Sequence, residues 1–162
     1  MVETFEQVEI LLVEDSPHDA ELMMRALKQG GLANKVLWVK DGQEALDFLS
    51  RDSTGANDDN FLPRLILLDL HMPKLGGIEL LEHIKAEDRT KSIPVVVLTS
   101  SNEDSDVARC YALGVNSYVV KPMDFPKLVQ IARHAGYYWL AINRPPRDGV
   151  FPKPRPARTP RL

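Results

Sequence analysis

Apolar residues along the chain fall into two alternating periods. Short runs of strand length (Val8-Glu9-Ile10-Leu11-Leu12-Val13, Val36-Leu37-Trp38-Val39, Leu65-Ile66-Leu67-Leu68, Val95-Val96-Val97-Leu98 and Tyr118-Val119-Val120) are each followed by a longer stretch with helical spacing. That alternation is the signature of an α/β fold. Runs two to four are nearly all apolar, as strands covered on both faces must be, so the sheet is predicted to be parallel. The first helix is predicted to start at Pro17, to carry an apolar stripe of Leu22, Met23, Ala26 and Leu27, and to stop at Gly30-Gly31. Asp41 can cap a second helix over Gln43 to Leu49, and Gly77 precedes a third over Ile78 to Ala86. Ser101 or Asn102 can cap a fourth over Asp104 to Leu113, which Gly114 ends, and Asp124 can cap a fifth over Phe125 to Leu140. Between Ser50 and Pro63 there is no period, and Asp52, Ser53, Gly55, Asn57, Asp58, Asp59 and Asn60 make it read as a long surface loop.

Composition changes this picture mainly at the end of the chain. The 162 residues, 44% hydrophobic and 27% charged, suit one domain with one core, and no apolar run approaches the roughly 18 residues needed to span a bilayer. Residues 144 to 162 hold six basic residues against Asp148, a net of +5, which leaves -8 for the rest of a chain whose total is -3. Six of the 12 prolines also lie there, so the folded part is predicted to be 1–143 and 144–162 a basic, proline-rich tail. The first ten residues carry three glutamates and no basic residue, unlike a targeting segment, so a cytoplasmic location is expected. A single cysteine, Cys110, excludes an internal disulfide and a cysteine-based zinc cluster. His18, His71, His83 and His134 are scattered, with no pair at metal-ligand spacing.

The candidate chemistry lies where the strands end. In an open parallel sheet the carboxyl ends of the strands meet at one edge, and ligands bind there. Glu14 and Asp15 follow the first strand, Asp69 ends the third, Thr99 follows the fourth and Lys121 the fifth. Three carboxylates at one edge repel one another unless a cation lies between them, and hard oxygen ligands favour magnesium. With a threonine donor and a lysine charge nearby, Asp69 is placed to act as a nucleophile toward a phosphoryl group. Each residue also has a plainer use: Glu14, Asp15 and Asp69 as helix caps or turn residues, Thr99 within a strand, Lys121 as a solvated tip. Their coincidence on one edge favours the site.

These residues resemble the receiver domain of bacterial two-component response regulators, from about Val8 to Leu140. The resemblance rests on Leu11-Leu12-Val13-Glu14-Asp15, on Leu67-Leu68-Asp69-Leu70-His71-Met72-Pro73 through Gly76-Gly77, on Val97-Leu98-Thr99-Ser100, and on Tyr118-Val119-Val120-Lys121-Pro122. It implies a doubly wound, flavodoxin-like sheet of five parallel strands in the order 2-1-3-4-5 with five helices. It further implies that Asp69 accepts a phosphoryl group from a histidine kinase, that Glu14, Asp15, Asp69 and the His71 carbonyl hold Mg2+, and that Thr99 and Lys121 contact phosphoryl oxygens. Tyr118 would be the switching aromatic, the Lys121-Pro122 bond a cis peptide, and the face of helix four, strand five and helix five the readout. Such a protein is not an enzyme toward an external metabolite.

The polar insertion before Phe61-Leu62-Pro63 and the late Tyr137-Tyr138-Trp139-Leu140 look like the single-domain regulators of phytochrome-type kinases. Tyr137, Tyr138 and Trp139 span about 200° of a helix and cannot all face the sheet, so a homodimer contact is expected there, with the tail either disordered or embracing a second subunit. No stretch resembles a DNA-binding module, so output by protein contact and no nucleic-acid or membrane partner are expected. Among other functions, a haloacid dehalogenase-type phosphatase wants an aspartate where His71 stands, and a flavodoxin wants a phosphate loop where Glu14-Asp15-Ser16-Pro17-His18-Asp19 would repel an anion. A pseudo-receiver that binds partners without phosphorylation is the alternative; against it, no residue of the active set is missing.

Overall fold

The computed structural model describes residues 8–32, 36–51 and 62–146. Most of the Ser50–Pro63 loop and nearly all of the basic tail lie outside the described residues. The chain alternates strand and helix: β1 (Ile10–Val13), α1 (Pro17–Gln29), β2 (Val36–Val39), α2 (Gly42–Leu49), β3 (Leu65–Leu68), α3 (Gly77–Ala86), β4 (Val95–Thr99), α4 (Asp104–Ala112), β5 (Ser117–Val120) and α5 (Phe125–Tyr137), with a π-helical turn over Tyr138–Ile142. The sheet has the order β2-β1-β3-β4-β5, and every neighbouring pair is parallel. Among the described residues no helix is long and apolar enough to cross a membrane.

Alternation along the strands divides the core into two layers. Leu11, Val13, Ile66, Leu68, Val95 and Val97 point to one face and pack with Ala45, Leu80, Leu81 and Ile84 of α2 and α3. Ile10, Leu12, Leu65, Leu67, Val96 and Leu98 point to the other and pack with Met23, Ala26 and Leu27 of α1 and Leu128 and Ala132 of α5. Cys110 is buried in the first layer, where burial pushes its thiol pKa up.

Several element ends differ from expectation, each for a local reason. The ladder of β1 begins at Ile10 rather than Val8: its first pairs are Ile10 with Val36 and with Leu65, and the Glu9 carbonyl before them accepts from the N–H groups of Arg64 and Leu65 at the start of β3. The cap of α4 is Glu103, not Ser101 or Asn102, and makes no side-chain cap bond. Ser101 still serves the helix start: its Oγ accepts from the Glu103 N–H (3.3 Å) and donates to Asp106 Oδ2 (2.6 Å). Asp124 holds the cap position of α5 without capping through its side chain. α5 also ends at Tyr137, and the chain widens into the π turn, where Trp139 and Leu140 both lie against the α1–α5 layer of the core. Among the described residues there is no cis peptide, so Lys121-Pro122 is trans, the isomer that X–Pro bonds favour by about 0.5–1 kcal/mol.

Candidate functional site

The carboxyl ends of β1, β3, β4 and β5 bring the predicted residues together. Register sets this: Val13 pairs with Leu68 and Thr99 with Val120, so the residues that follow emerge side by side. The Asp69 N–H bonds the Val13 carbonyl at 3.1 Å, and the Lys121 N–H bonds the Thr99 carbonyl at 2.7 Å. One carboxylate oxygen from each of Glu14, Asp15 and Asp69 lies within 4.8 Å of the others. Glu14 and Asp69 are buried and Asp15 is the more open of the three.

The plainer use of the acids as caps does not hold for α1. Ser16 is the cap residue, its side chain accepting from the Asp19 N–H, so neither Glu14 nor Asp15 is spent on the cap. Glu14 is instead anchored from several directions. Its N–H donates to the Val39 carbonyl, its own carbonyl accepts from Trp38 Nε1 (2.8 Å), and its Oε1 accepts from the Ser16 N–H (3.1 Å). Asp69 has one oxygen committed, Oδ1 accepting from the Leu70 N–H at 2.8 Å. Its other oxygen, Oδ2, faces Lys121 Nζ at 3.6 Å. Behind it, Gly77 packs so closely that a Cβ there would meet the Asp69 carbonyl oxygen and lie 2.6 Å from Leu70 Cα.

Lys121 is the cation of the site. Its ammonium donates to Glu14 Oε2 at 2.6 Å and to Asp19 Oδ2 at 3.3 Å, with only 17% of the side chain exposed. Burial alone would lower its pKa, but the Glu14 hydrogen bond and the charges of Asp69, Glu14 and Asp19 outweigh it and raise it. Glu14 moves the other way from charge: burial, reinforced by Asp69 and opposed by Lys121, lifts its pKa from 4.5 to about 7. The site therefore holds more negative charge than its single lysine neutralises. A carboxylate set of this kind fits a hard divalent cation, with Glu14, Asp15 and Asp69 as its donors.

Thr99 is fully buried, its Oγ1 accepting from the Ser101 N–H at 3.3 Å. Tyr118, packed against the α2–α3 layer, donates its hydroxyl to the Ser101 carbonyl at 3.0 Å, and burial raises its pKa. His71 borders the site with 64% of its side chain exposed and Nε2 3.8 Å from Asp106 Oδ2 on α4. Tyr137, Tyr138 and Trp139 are not part of this edge: α5 carries them about 20 Å away along its axis. There Tyr137 (61%) and Tyr138 (47%) are exposed, while Trp139 leans on the core and meets Tyr138 edge-to-face.

The sequence reasoning missed Asp19, Ser101 and Asp106. Asp19 had a signal, since a residue in the first turn of a helix starting at Pro17 points back to the strand ends. Ser101 and Asp106 had none beyond helix-cap chemistry.

Comparison with known proteins bears on this geometry. The probable methanogenesis regulatory protein FilR2 of Methanothrix harundinacea is 44% identical over 85% of this chain and 86% of that protein. The response regulator Rcp1 of Synechocystis is 39% identical over 81% of this chain and 88% of that protein, and a solved Rcp1 structure is the Mn2+-bound form (TM-score 0.72, 37% identity, 85% and 98% covered). The phosphorylated cyanobacterial phytochrome response regulator RcpA superposes with a TM-score of 0.76 at 38% identity, covering 87% of this chain and 99% of that one. Residues 10–133 match the family model of the response regulator receiver domain, and with the strand order, the acidic triad and Lys121 in place the chain belongs to that family.

Proposed function

We propose that this chain is a phospho-accepting signal relay: Asp69 takes a phosphoryl group from a histidine kinase, and the change is read by protein contact. The observation that carries this is Asp69 Oδ2, the uncommitted carboxylate oxygen, facing the Lys121 ammonium inside the acidic cluster. In the transfer Oδ2 forms a bond to phosphorus as the P–N bond of the phosphohistidine breaks and the imidazole leaves. Lys121 neutralises charge on one phosphoryl oxygen and the Thr99 hydroxyl donates to another. Glu14, Asp15, Asp69 and the His71 carbonyl would hold Mg2+, which when bound would supply charge neutralisation at the phosphoryl oxygens. The protein turns over no external metabolite.

Thr99 and Tyr118 form the switch in this reading. Drawing the Thr99 hydroxyl toward the phosphoryl group competes with its bond from Ser101, whose carbonyl holds Tyr118. The face of α4, β5 and α5 is then the output, and exposed Tyr137 and Tyr138 beside Trp139 mark a homodimer contact, which the basic tail would extend. Resemblance to the phytochrome response regulator RcpA supports a phytochrome-type kinase as the donor. The reading further holds that the chain works in the cytoplasm, without a nucleic-acid or membrane partner. The test is intact mass after incubation with acetyl phosphate and Mg2+, or with a phosphorylated kinase, combined with light scattering. Wild type should gain one phosphoryl group and Asp69→Asn none; equal uptake by both refutes the assignment, and an unchanged oligomer size in every state refutes the dimer readout.

A further inference from the structure

The ammonium of Lys121 has a partner that belongs neither to the carboxylate set for the metal nor to the phosphoryl acceptor. Asp19, on the first turn of α1, places Oδ2 3.3 Å from Nζ, closer than Asp69 Oδ2 at 3.6 Å. The divalent-cation donors are Glu14, Asp15 and Asp69. A cation bound there would draw on Glu14 and Asp69 and would leave Asp19 as the carboxylate outside the metal set that still competes for the lysine. The backbone of Asp19 is anchored at the helix start, its N–H donating to Ser16 Oγ. A cavity of about 60 Å³, lined by Glu14, Asp69 and Leu22 as well as by Asp19, Lys121 and Pro122, adjoins the pair.

We propose that Asp19 is a positioning residue that holds the Lys121 ammonium on the α1 side of the site and so slows phosphoryl transfer to Asp69. This rests on the receiver chemistry proposed above. Transfer from acetyl phosphate forms the bond between Asp69 Oδ2 and phosphorus as the P–O bond to acetate breaks. The negative charge moving with the phosphoryl group must draw Lys121 away from Asp19 as it arrives. The plainer role of Asp19, an acidic residue favourable at a helix N-terminus, affects stability only and does not require Lys121.

The experiment measures the rate of adduct formation by intact mass, with acetyl phosphate at saturating Mg2+, for wild type, Asp19→Asn, Asp19→Glu and each Asp19 variant combined with Lys121→Gln. Asp19 is 43% exposed at its side chain, so neutralising it should speed transfer by about two- to fivefold, the range of a partly exposed ion pair. Asp19→Glu, which keeps the charge, should stay within about twofold of wild type, and Asp19→Asn should have no effect once Lys121 is glutamine. An adduct on wild type with Asp19→Asn unchanged or slower, or with the same acceleration in the Lys121→Gln background, overturns the role of Asp19. No adduct on wild type, from acetyl phosphate or from a phosphorylated kinase, overturns the receiver reading and this proposal with it. Urea unfolding of each variant separates a loss of folded protein from a change in rate.

Discussion

Replacing Lys121 by Met tests how the buried acids are held. At 2.6 Å the attraction between Lys121 and Glu14 would be about 6 kcal/mol at an effective dielectric of about 20, and breaking a buried pair commonly costs about 3–5 kcal/mol. Both figures overstate the loss near neutral pH, because Glu14 has another way out. Its pKa is already about 7 in the folded protein, so at pH 7.5 it can take a proton for only about 0.7 kcal/mol, at about 1.4 kcal/mol per pH unit. Adding about 1–1.5 kcal/mol for the lost hydrogen bond gives an expected destabilisation of about 2 kcal/mol at pH 7.5.

The pH dependence follows from the sign of the linkage. Glu14 is raised above its ordinary 4.5, so the folded state binds a proton that the unfolded chain does not, and stability is lost as pH rises through the window between the two. In wild type that loss ends near pH 7. Without the lysine the pKa climbs further and the loss continues upward, so the gap between wild type and variant opens above pH 7 with a slope approaching about 1.4 kcal/mol per unit. Below about pH 6 the Glu14 contribution to the gap is gone, and what remains is the lost hydrogen bond together with the lost contacts of Lys121 with Asp19 and Asp69. Urea unfolding at pH 6, 7.5 and 9 in EDTA, followed by tryptophan fluorescence, measures the gap, and Mg2+ should narrow it at pH 9 by taking over the neutralisation of the acids. A gap that is constant from pH 6 to 9, or widest at pH 6, refutes the reasoning.

The remaining predictions concern the frame around the site. Gly77→Ala drives a Cβ into the Asp69–Leu70 backbone, which cannot rotate away, so it should lower the unfolding free energy by about 2 kcal/mol or more and slow phosphoryl uptake; a loss under about 0.5 kcal/mol in urea unfolding would show that α3 moves freely. Lys85 donates to the carbonyls of Lys91 and Ile93 and to Asn116 Oδ1, and burial lowers its pKa from 10.5 to about 8. The unfolded chain therefore binds the proton more tightly, and wild-type stability relative to Lys85→Met should rise between pH 7 and 10; a flat or falling difference in thermal melts over that range would exclude the burial effect.

Much of this architecture was legible because two signals agreed. Runs such as Leu65-Ile66-Leu67-Leu68 are strands in a doubly covered sheet, and Pro17, Asp41 and Gly114 mark helix ends where their backbone or side-chain chemistry requires them. What failed was local competition. Ser101 has the side chain of a cap, but its hydroxyl bonds across to Asp106 while the chain begins its helix at Glu103, and no sequence pattern ranks those two uses. The end of α5 failed for a similar reason: Tyr137-Tyr138-Trp139-Leu140 reads as continuous helix, whereas packing Trp139 and Leu140 together against the core favours a wider turn. The acids and lysine were legible as a set because strand ends converge. Their mutual order was not, since which carboxylate the ammonium prefers depends on distances of 2.6, 3.3 and 3.6 Å that only the folded chain fixes.

Those same contacts close into a ring that explains how charge at one residue can reach a surface. Lys121 is tied by its backbone N–H to the Thr99 carbonyl, Thr99 by its hydroxyl to the Ser101 N–H, and Ser101 by its carbonyl to the Tyr118 hydroxyl. Tyr118 returns to Lys121 along β5, three residues on. Ser101 also bonds Asp106 on the first turn of α4, which His71 approaches from the loop after β3. The strands beneath are fully buried and held by continuous ladders, so they do not yield easily. The softest link is the 3.3 Å bond from Ser101 to Thr99, and a group that attracts the Thr99 hydroxyl acts on that link. Relaxation there moves the acceptor of Tyr118 and the donor to Asp106 together, because both belong to one residue. In the function proposed for this chain, a phosphoryl group on Asp69 would therefore need no long pathway to reach α4 and β5: the residue it would disturb through Thr99 already touches both.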